Sequence, residues 1–171
     1  MTVKSNIEIE LRVPEMKDMA ILEKWYGMHD SLGYATGFKK FSDVIQKFRE
    51  PVDPSMLSFM IYNINIDIDA PIGFINGYLR NVNKHSVLWI SVFIIDPDYQ
   101  NMGYGTYALY KLLNFVRSEY GTVACIAAVS FENEQGLSFW EKAGFSHDPE
   151  LERSLHLFGT SKAAVMKKIL K

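Results

Sequence analysis

A single cysteine, Cys125, occurs in 171 residues. That excludes an internal disulfide framework and any cysteine-rich zinc site, and it suits a reducing compartment. An excess of either charge is missing too: 18 lysines and arginines stand against 20 aspartates and glutamates, a formal net charge of −2. A chain so balanced carries no broad basic surface, so neither nucleic acid nor membrane lipid is an expected partner. No apolar run is long enough to span a bilayer. The first fifteen residues, where Ile and Val alternate with Glu and Arg, lack the apolar segment and cleavage site of a secretory signal. These absences predict a cytoplasmic protein. Repeats, low-complexity tracts and long linkers are also absent, so residues 1–171 are expected to form one domain. What is present is 48% hydrophobic residues, enough for a sizeable core.

Ile7, Ile9, Leu11 and Val13 alternate with Glu8, Glu10 and Arg12, which predicts a half-buried strand ended by Pro14. Met19, Leu22, Trp25 and Tyr26 fit one stripe of a helix over 17–28, and Phe41, Val44, Ile45 and Phe48 fit another before Pro51 and Pro54. Between them His29 to Phe38, with Gly33 and Gly37, reads as a turn-rich recognition loop. Leu57 to Ile66 and Ile72 to Leu79, joined through Asp67, Asp69 and Pro71, predict an antiparallel hairpin. Val87 to Ile95 is apolar almost throughout, as in a central strand covered on both faces. Thr106 to Tyr120 is helical by the spacing of Leu109, Leu112, Leu113 and Val116, and Val123 to Val129 completes a βαβ unit. Asn133 is placed to cap a short helix that Gly144 stops, and Leu151 to Phe158 and Ala163 to Leu170 are expected to be the last two strands. The sum is a mixed α/β (α+β) central sheet of about seven strands flanked by about four helices.

The stretch Asp96-Pro97-Asp98-Tyr99-Gln100-Asn101-Met102-Gly103-Tyr104-Gly105-Thr106 links a buried strand to an amphipathic helix. Glycines at alternate positions let backbone amides converge where a helix start adds unpaired N–H groups, which makes a seat for phosphate. A tight turn in which glycine only relieves strain explains the same glycines more plainly. Gly103-x-Gly105-x-x-Ala108 also fits a permissive dinucleotide fingerprint, but that signature starts directly after its strand and belongs to a fold of two βαβ halves. The four histidines, at 29, 85, 147 and 156, show no metal-ligand spacing, and Asp67-x-Asp69 lacks the rest of a calcium loop, so no metal is expected. Cys125, mid-strand among apolar residues, reads as a buried inert thiol.

Taken whole, the run Gln100-x-x-Gly103-x-Gly105 after its strand resembles motif A of the Gcn5-related N-acetyltransferase (GNAT) family. Asn133-x-x-Gly136-x-x-Phe139-Trp140-x-x-x-Gly144-Phe145 resembles that family's next motif, Val165 to Leu170 its last strand, and the order of elements matches over nearly the whole chain. The stretch from Glu10-Leu11-Arg12 to Trp25 resembles the branch with ribosomal-protein N-terminal and aminoglycoside acetyltransferases. The resemblance implies acetyl-CoA as cosubstrate, its diphosphate held by main-chain N–H groups of Asn101, Met102, Gly103, Tyr104, Gly105 and Thr106. It implies that amides of Phe93 and Ile95, on a bulged central strand, serve the pantetheine arm and the thioester carbonyl. Asn133 matches a position that hydrogen-bonds the coenzyme, beside its role as a cap. The activity implied is direct transfer of acetyl to a primary amine of a small molecule or peptide; a homodimer is one assembly open to the chain.

Two departures bear on mechanism. Trp140 stands where many relatives have a tyrosine that protonates the leaving thiolate, and Trp89 where some have a glutamate base. The candidates left for proton transfer are Tyr104, Glu132, His85 and His147. Acceptor selection is expected from 29–38 and from the loops at 81–85 and 146–151, with Asp30, Glu50 and Asp53 available to attract a cation. The missing acid and base make a non-catalytic acetyl-CoA-binding module the first alternative, and a nucleotide-binding enzyme using the same glycines the second.

Overall fold

The computed structural model describes residues 7–49, 53–156 and 162–171. Among the described residues seven strands form one sheet: β1 (Ile9–Arg12), β2 (Met56–Asn63), β3 (Pro71–Val82), β4 (His85–Ile95), β5 (Thr122–Ser130), β6 (Ser146–His147) and β7 (Ala163–Ile169). Their order is β1-β2-β3-β4-β5-β7-β6. Among the described residues only β4 and β5 run parallel, as the connection through a helix requires. The helices are α1 (Met19–Gly27), α2 (His29–Thr36), the single turns α3 (Phe41–Val44) and α4 (Gln46–Arg49), then α5 (Tyr104–Tyr120), α6 (Glu134–Lys142) and α7 (Pro149–His156). Among the described residues no helix is long and apolar enough to cross a membrane.

Strand alternation divides the core in two. Ile61, Ile75 and Ile95 join Leu109, Leu112 and Val116 of α5 in one cluster. Their neighbours Met60, Phe74 and Ile94 join Leu22, Trp25 and Leu32 of α1 and α2 in the other. β4, in the middle of the sheet, therefore feeds both clusters, and its last residue, Ile95, delivers the chain to the 96–106 loop.

Three expectations are corrected. Residues 29–36 are helix rather than loop: Gly33 lies under the Phe38 ring, where any Cβ would collide with it at 2.2 Å, so this glycine is a packing residue and not a breaker. Gly37 takes the left-handed conformation, φ 63°, and ends the helix instead. Residues 149–156 are helix rather than strand; Asp148 Oδ1 accepts the Leu151 N–H at 2.9 Å, and Pro149 occupies the first turn. Residues 157 and 158 of that expected strand lie outside the described residues. The seventh strand is instead the two-residue β6, which pairs with β7. The helix expected over 41–48 is two short turns broken at Ile45.

Candidate active site

β4 and β5 pair from Ser86–Thr122 to Ile90–Ala127 and then part, although β4 continues to Ile95 and β5 to Ser130. The cause is visible on the other side of β4. Asn76 of β3 faces Val92 while Gly77 faces Ile90, so Ser91 is an extra residue that bulges and re-aims the strand. Gly77 permits the close approach, since a Cβ there would meet the Trp89 carbonyl oxygen at 2.8 Å. Beyond the bulge Asp96 N–H donates to Ile72 O at 2.8 Å. Peptide groups alternate along a strand, so the N–H groups of Ile95 and Phe93 point away from β3, into the gap. The Ile95 carbonyl on that side accepts Gln100 Nε2 at 2.9 Å, which folds the following loop back over the strand end.

A cavity of about 900 Å³ occupies this gap. β4 contributes Ser91, Phe93 and Ile95, and β5 contributes 127–130. The loop and the first turn of α5 contribute Gln100, Asn101, Gly103, Gly105 and Thr106, while α2 supplies Asp30 and Tyr34, and α6 with its cap supplies Asn133, Ser138, Phe139 and Trp140. Asn101 and Gly103 both adopt left-handed backbone, φ 59° and 89°, and no side chain caps α5. No side-chain cap covers the N–H groups of its first turn, and Gly103, Gly105 and Thr106 line the cavity at the positive end of the helix dipole. Gly105 is closely packed: an added Cβ would lie 3.2 Å from Phe139 and 3.4 Å from Ile95.

The cavity floor is aromatic. Phe93 stacks on Phe139 at 5.4 Å, and Trp140 packs against Phe93, Phe139 and Phe145 with ring separations of 5.8, 5.2 and 4.8 Å. Trp140 is 7% exposed and belongs to the larger core cluster. At the mouth Tyr34 hydroxyl donates to Glu132 Oε2 at 3.3 Å, joining α2 to the turn after β5. Desolvation and the Glu132 carboxylate raise the Tyr34 hydroxyl above the usual phenol pKa. Among the described residues, Asp30, Glu132 and Glu134 give the lining three carboxylates against one cation, Lys142.

Of the residues singled out in the sequence, Phe93, Ile95, Asn101, Gly103, Gly105, Thr106 and Asn133 converge on this cavity. Asn133 caps α6, its Oδ1 accepting the Gly136 N–H at 2.9 Å, while it also lines the cavity. Met102 is exposed at the loop's outer side and is not in the lining. Among the proton-transfer candidates only Glu132 reaches the cavity. Tyr104 is buried in the core beside Tyr99. His85 starts β4, roughly 30 Å of strand away from Ile95. His147 pairs with Glu152 and lines a separate hollow of about 480 Å³ between 144–150 and β7. Trp89 pairs with Tyr78 and Ile126 inside the sheet. Of the regions expected to choose the acceptor, residues within 30–35 line the cavity, whereas 81–85 lies at the opposite end of β4 and 146–150 beside the smaller hollow. Glu50 lies outside the described residues, and Asp53 is away from the cavity, bonded to Ser55. Tyr34 falls within the 29–38 region expected to choose the acceptor, whereas Ser91 and Ser138 went unread in the sequence. Ser91 had a signal, as a lone polar residue inside Val-Leu-Trp-Ile-Ser-Val-Phe-Ile-Ile.

Residues 22–145 match the family model "Acetyltransferase (GNAT) family". No curated protein matches the chain. Among solved structures, a spermidine N-acetyltransferase from Vibrio cholerae in complex with CoA and spermine superposes with a TM-score of 0.72 at 14% identity, over 94% of this chain and 95% of that one. An aminoglycoside acetyltransferase in complex with coenzyme A and kanamycin gives 0.70 at 16% identity, over 95% of each chain. The PaiA N-acetyltransferase from Thermoplasma acidophilum in complex with coenzyme A gives 0.61 at 19% identity, over 96% of this chain and 100% of that one.

Proposed function

Since this chain belongs to the acetyltransferase (GNAT) family, we propose that it transfers the acetyl group of acetyl-CoA directly to a primary amine of a small molecule or peptide. The observation that carries the reading is the parting of β4 and β5 next to the bare start of α5. One feature suits a diphosphate and the other a slender arm ending in a thioester. Main-chain N–H groups at 103–106 bind phosphate oxygens without needing basic side chains, and Asn101 and Gly103 supply the left-handed turns that aim them. Phe93 and Ile95 offer N–H groups along the gap, preset to hydrogen-bond the arm and the oxygen on which negative charge develops.

The acceptor nitrogen first gives a proton to water, its freed lone pair forms a bond to the acetyl carbon, the carbon–sulfur bond breaks, and sulfur departs with its electron pair. The proton that becomes surplus on the bonded nitrogen also goes to water. A thiol of pKa about 8.5 leaves adequately as thiolate, so the reaction tolerates Trp140 in place of a phenol. The protein's contribution is proximity and orientation together with fixed dipoles, without a covalent enzyme intermediate. Three carboxylates around the mouth favour a cationic acceptor, the class to which the spermine and kanamycin of the structural neighbours belong. The balanced charge of the chain supports a cytoplasmic role without nucleic-acid or membrane partners.

Thiol release from acetyl-CoA, followed with polyamines, aminoglycosides, amino acids and peptides, tests the proposal. Saturable transfer to at least one of them is expected. Saturable coenzyme binding with no transfer to any would establish the binding-module alternative instead.

A further inference from the structure

Ser91 is the extra residue of the β4 bulge, and its hydroxyl is not free to turn. Its Oγ–H points at Asn76, with Oδ1 at 2.7 Å and the main-chain oxygen at 3.1 Å. Asn76 is 7% exposed, and its own amide is oriented from the far side: Nδ2 donates to Ser58 Oγ at 2.7 Å and to Leu57 O at 3.5 Å. The amide oxygen therefore faces Ser91, and a polar chain Ser58–Asn76–Ser91 crosses three strands from β2 to the cavity. With its single proton committed inward, Ser91 presents lone pairs only. The residue is exposed and lines the cavity.

We propose that Ser91 is the specificity-determining contact for the acceptor: its Oγ accepts an N–H of the attacking amine. The inference rests on the acetyl-transfer reading above. Ser91 lies four residues before Ile95, roughly 13 Å along the strand from the end at which the loop to the diphosphate seat begins, next to Ile90, the last residue of β4 that pairs with β5 before the gap opens. An amine that gives one N–H to Ser91 keeps its own lone pair for the acetyl carbon. As the carbon–nitrogen bond forms, the nitrogen gains positive charge and its N–H becomes a stronger donor, so the contact tightens toward the transition state. Ser91 takes no proton; the surplus proton leaves to water as before. A hydroxyl held as an acceptor also offers nothing to an acceptor-only group, which turns away molecules lacking an N–H or O–H at that level.

The test uses the intact protein and the best amine of the panel. Ser91→Ala is expected to lower kcat/KM for the amine about tenfold or more, the loss of one hydrogen bond to a developing charge, with acetyl-CoA affinity unchanged. Ser91→Thr keeps an acceptor on a β-branched side chain suited to a strand and is expected to restore most of the activity. Ser91→Cys, similar in size but a poor acceptor, is expected to fall between the two, and it decides the matter should Ser91→Ala fail to fold. Wild-type turnover in Ser91→Ala, or equal losses in the Ala and Thr variants, would overturn the assignment while leaving the acetyl-transfer reading intact. A wild-type protein that transfers to no amine would overturn that reading first.

Discussion

Trp25 Nε1–H donates to Asp96 Oδ2 at 2.7 Å, a buried bond between residues 71 positions apart. It joins α1 to the point where β4 becomes the loop, and the same carboxylate receives the Asp98 N–H at 3.0 Å through its other oxygen. Asp96 thus fixes both the exit of β4 and the first bend toward Gly103.

Trp25→Phe keeps most of the apolar volume but removes the donor to a carboxylate only 8% exposed. A loss of about 1–3 kcal/mol in unfolding free energy is expected, measured by urea denaturation. Acetyl-CoA affinity should fall as well, since the loop loses part of its anchor; an unaltered affinity would separate the loop from Asp96.

Thr106→Glu tests the diphosphate seat without the tight contact with Phe139 that a side chain at Gly105 would make. A carboxylate in the first turn of α5 is favourable for the free helix. The melting temperature should therefore hold or rise while coenzyme affinity falls by roughly 1.4 kcal/mol or more, a factor of ten. Calorimetric titration with CoA measures it, and unchanged binding would remove the seat from this turn.

Trp140 is expected to act as packing. Trp140→Ala should destabilise the fold by about 3–5 kcal/mol, as the tryptophan touches three other rings. Trp140→Phe should leave the pH profile of transfer unshifted, because the indole N–H carries no titrating proton in the working range. A displaced profile would give the ring a place in proton transfer.

Asp148 receives the Leu151 N–H and lies 3.5 Å from Lys167, and the first of these contacts chiefly holds its carboxyl below the ordinary carboxylate range. A lowered folded pKa means stability that is fully present above the ordinary range and lost as pH falls through the lowered value. Asp148→Ala should cost about 1 kcal/mol at neutral pH as a lost helix cap, and the difference from wild type should shrink in acid. Thermal melts between neutral and strongly acidic pH check this.

Cys125 is fully buried in β5, and burial pushes its thiol far up from the usual value. Native protein should react with a thiol reagent only as fast as it unfolds, and in denaturant at the rate of a free cysteine. Rapid labelling of the native protein would contradict the burial.

Sequence alone determined the features that depend on neighbours along the chain. Period-two spacing marked β1, helical spacing α5, turn residues the β2–β3 hairpin and continuous apolar runs β4 and β5, and alternate glycines marked the loop that reaches the cavity. Asn133 was readable as a cap because a cap bonds within its own turn, here to Gly136. Local rules also had what they needed at Asp148-Pro149-Glu150, a helix start that the apolar residues of 151–158 overrode. Other features depend on residues far apart in sequence. Gly33 suits a helix because the Phe38 ring needs its missing Cβ, and Ser91 became a bulge because of Asn76 and Gly77 across the strand pair. Tertiary structure also decided which candidates meet: it brought Glu132 to the cavity, buried Tyr104, and left His85 a strand's length away. Spacing fixes which face of an element a residue occupies, but the crossing of strands and helices fixes what that face looks at.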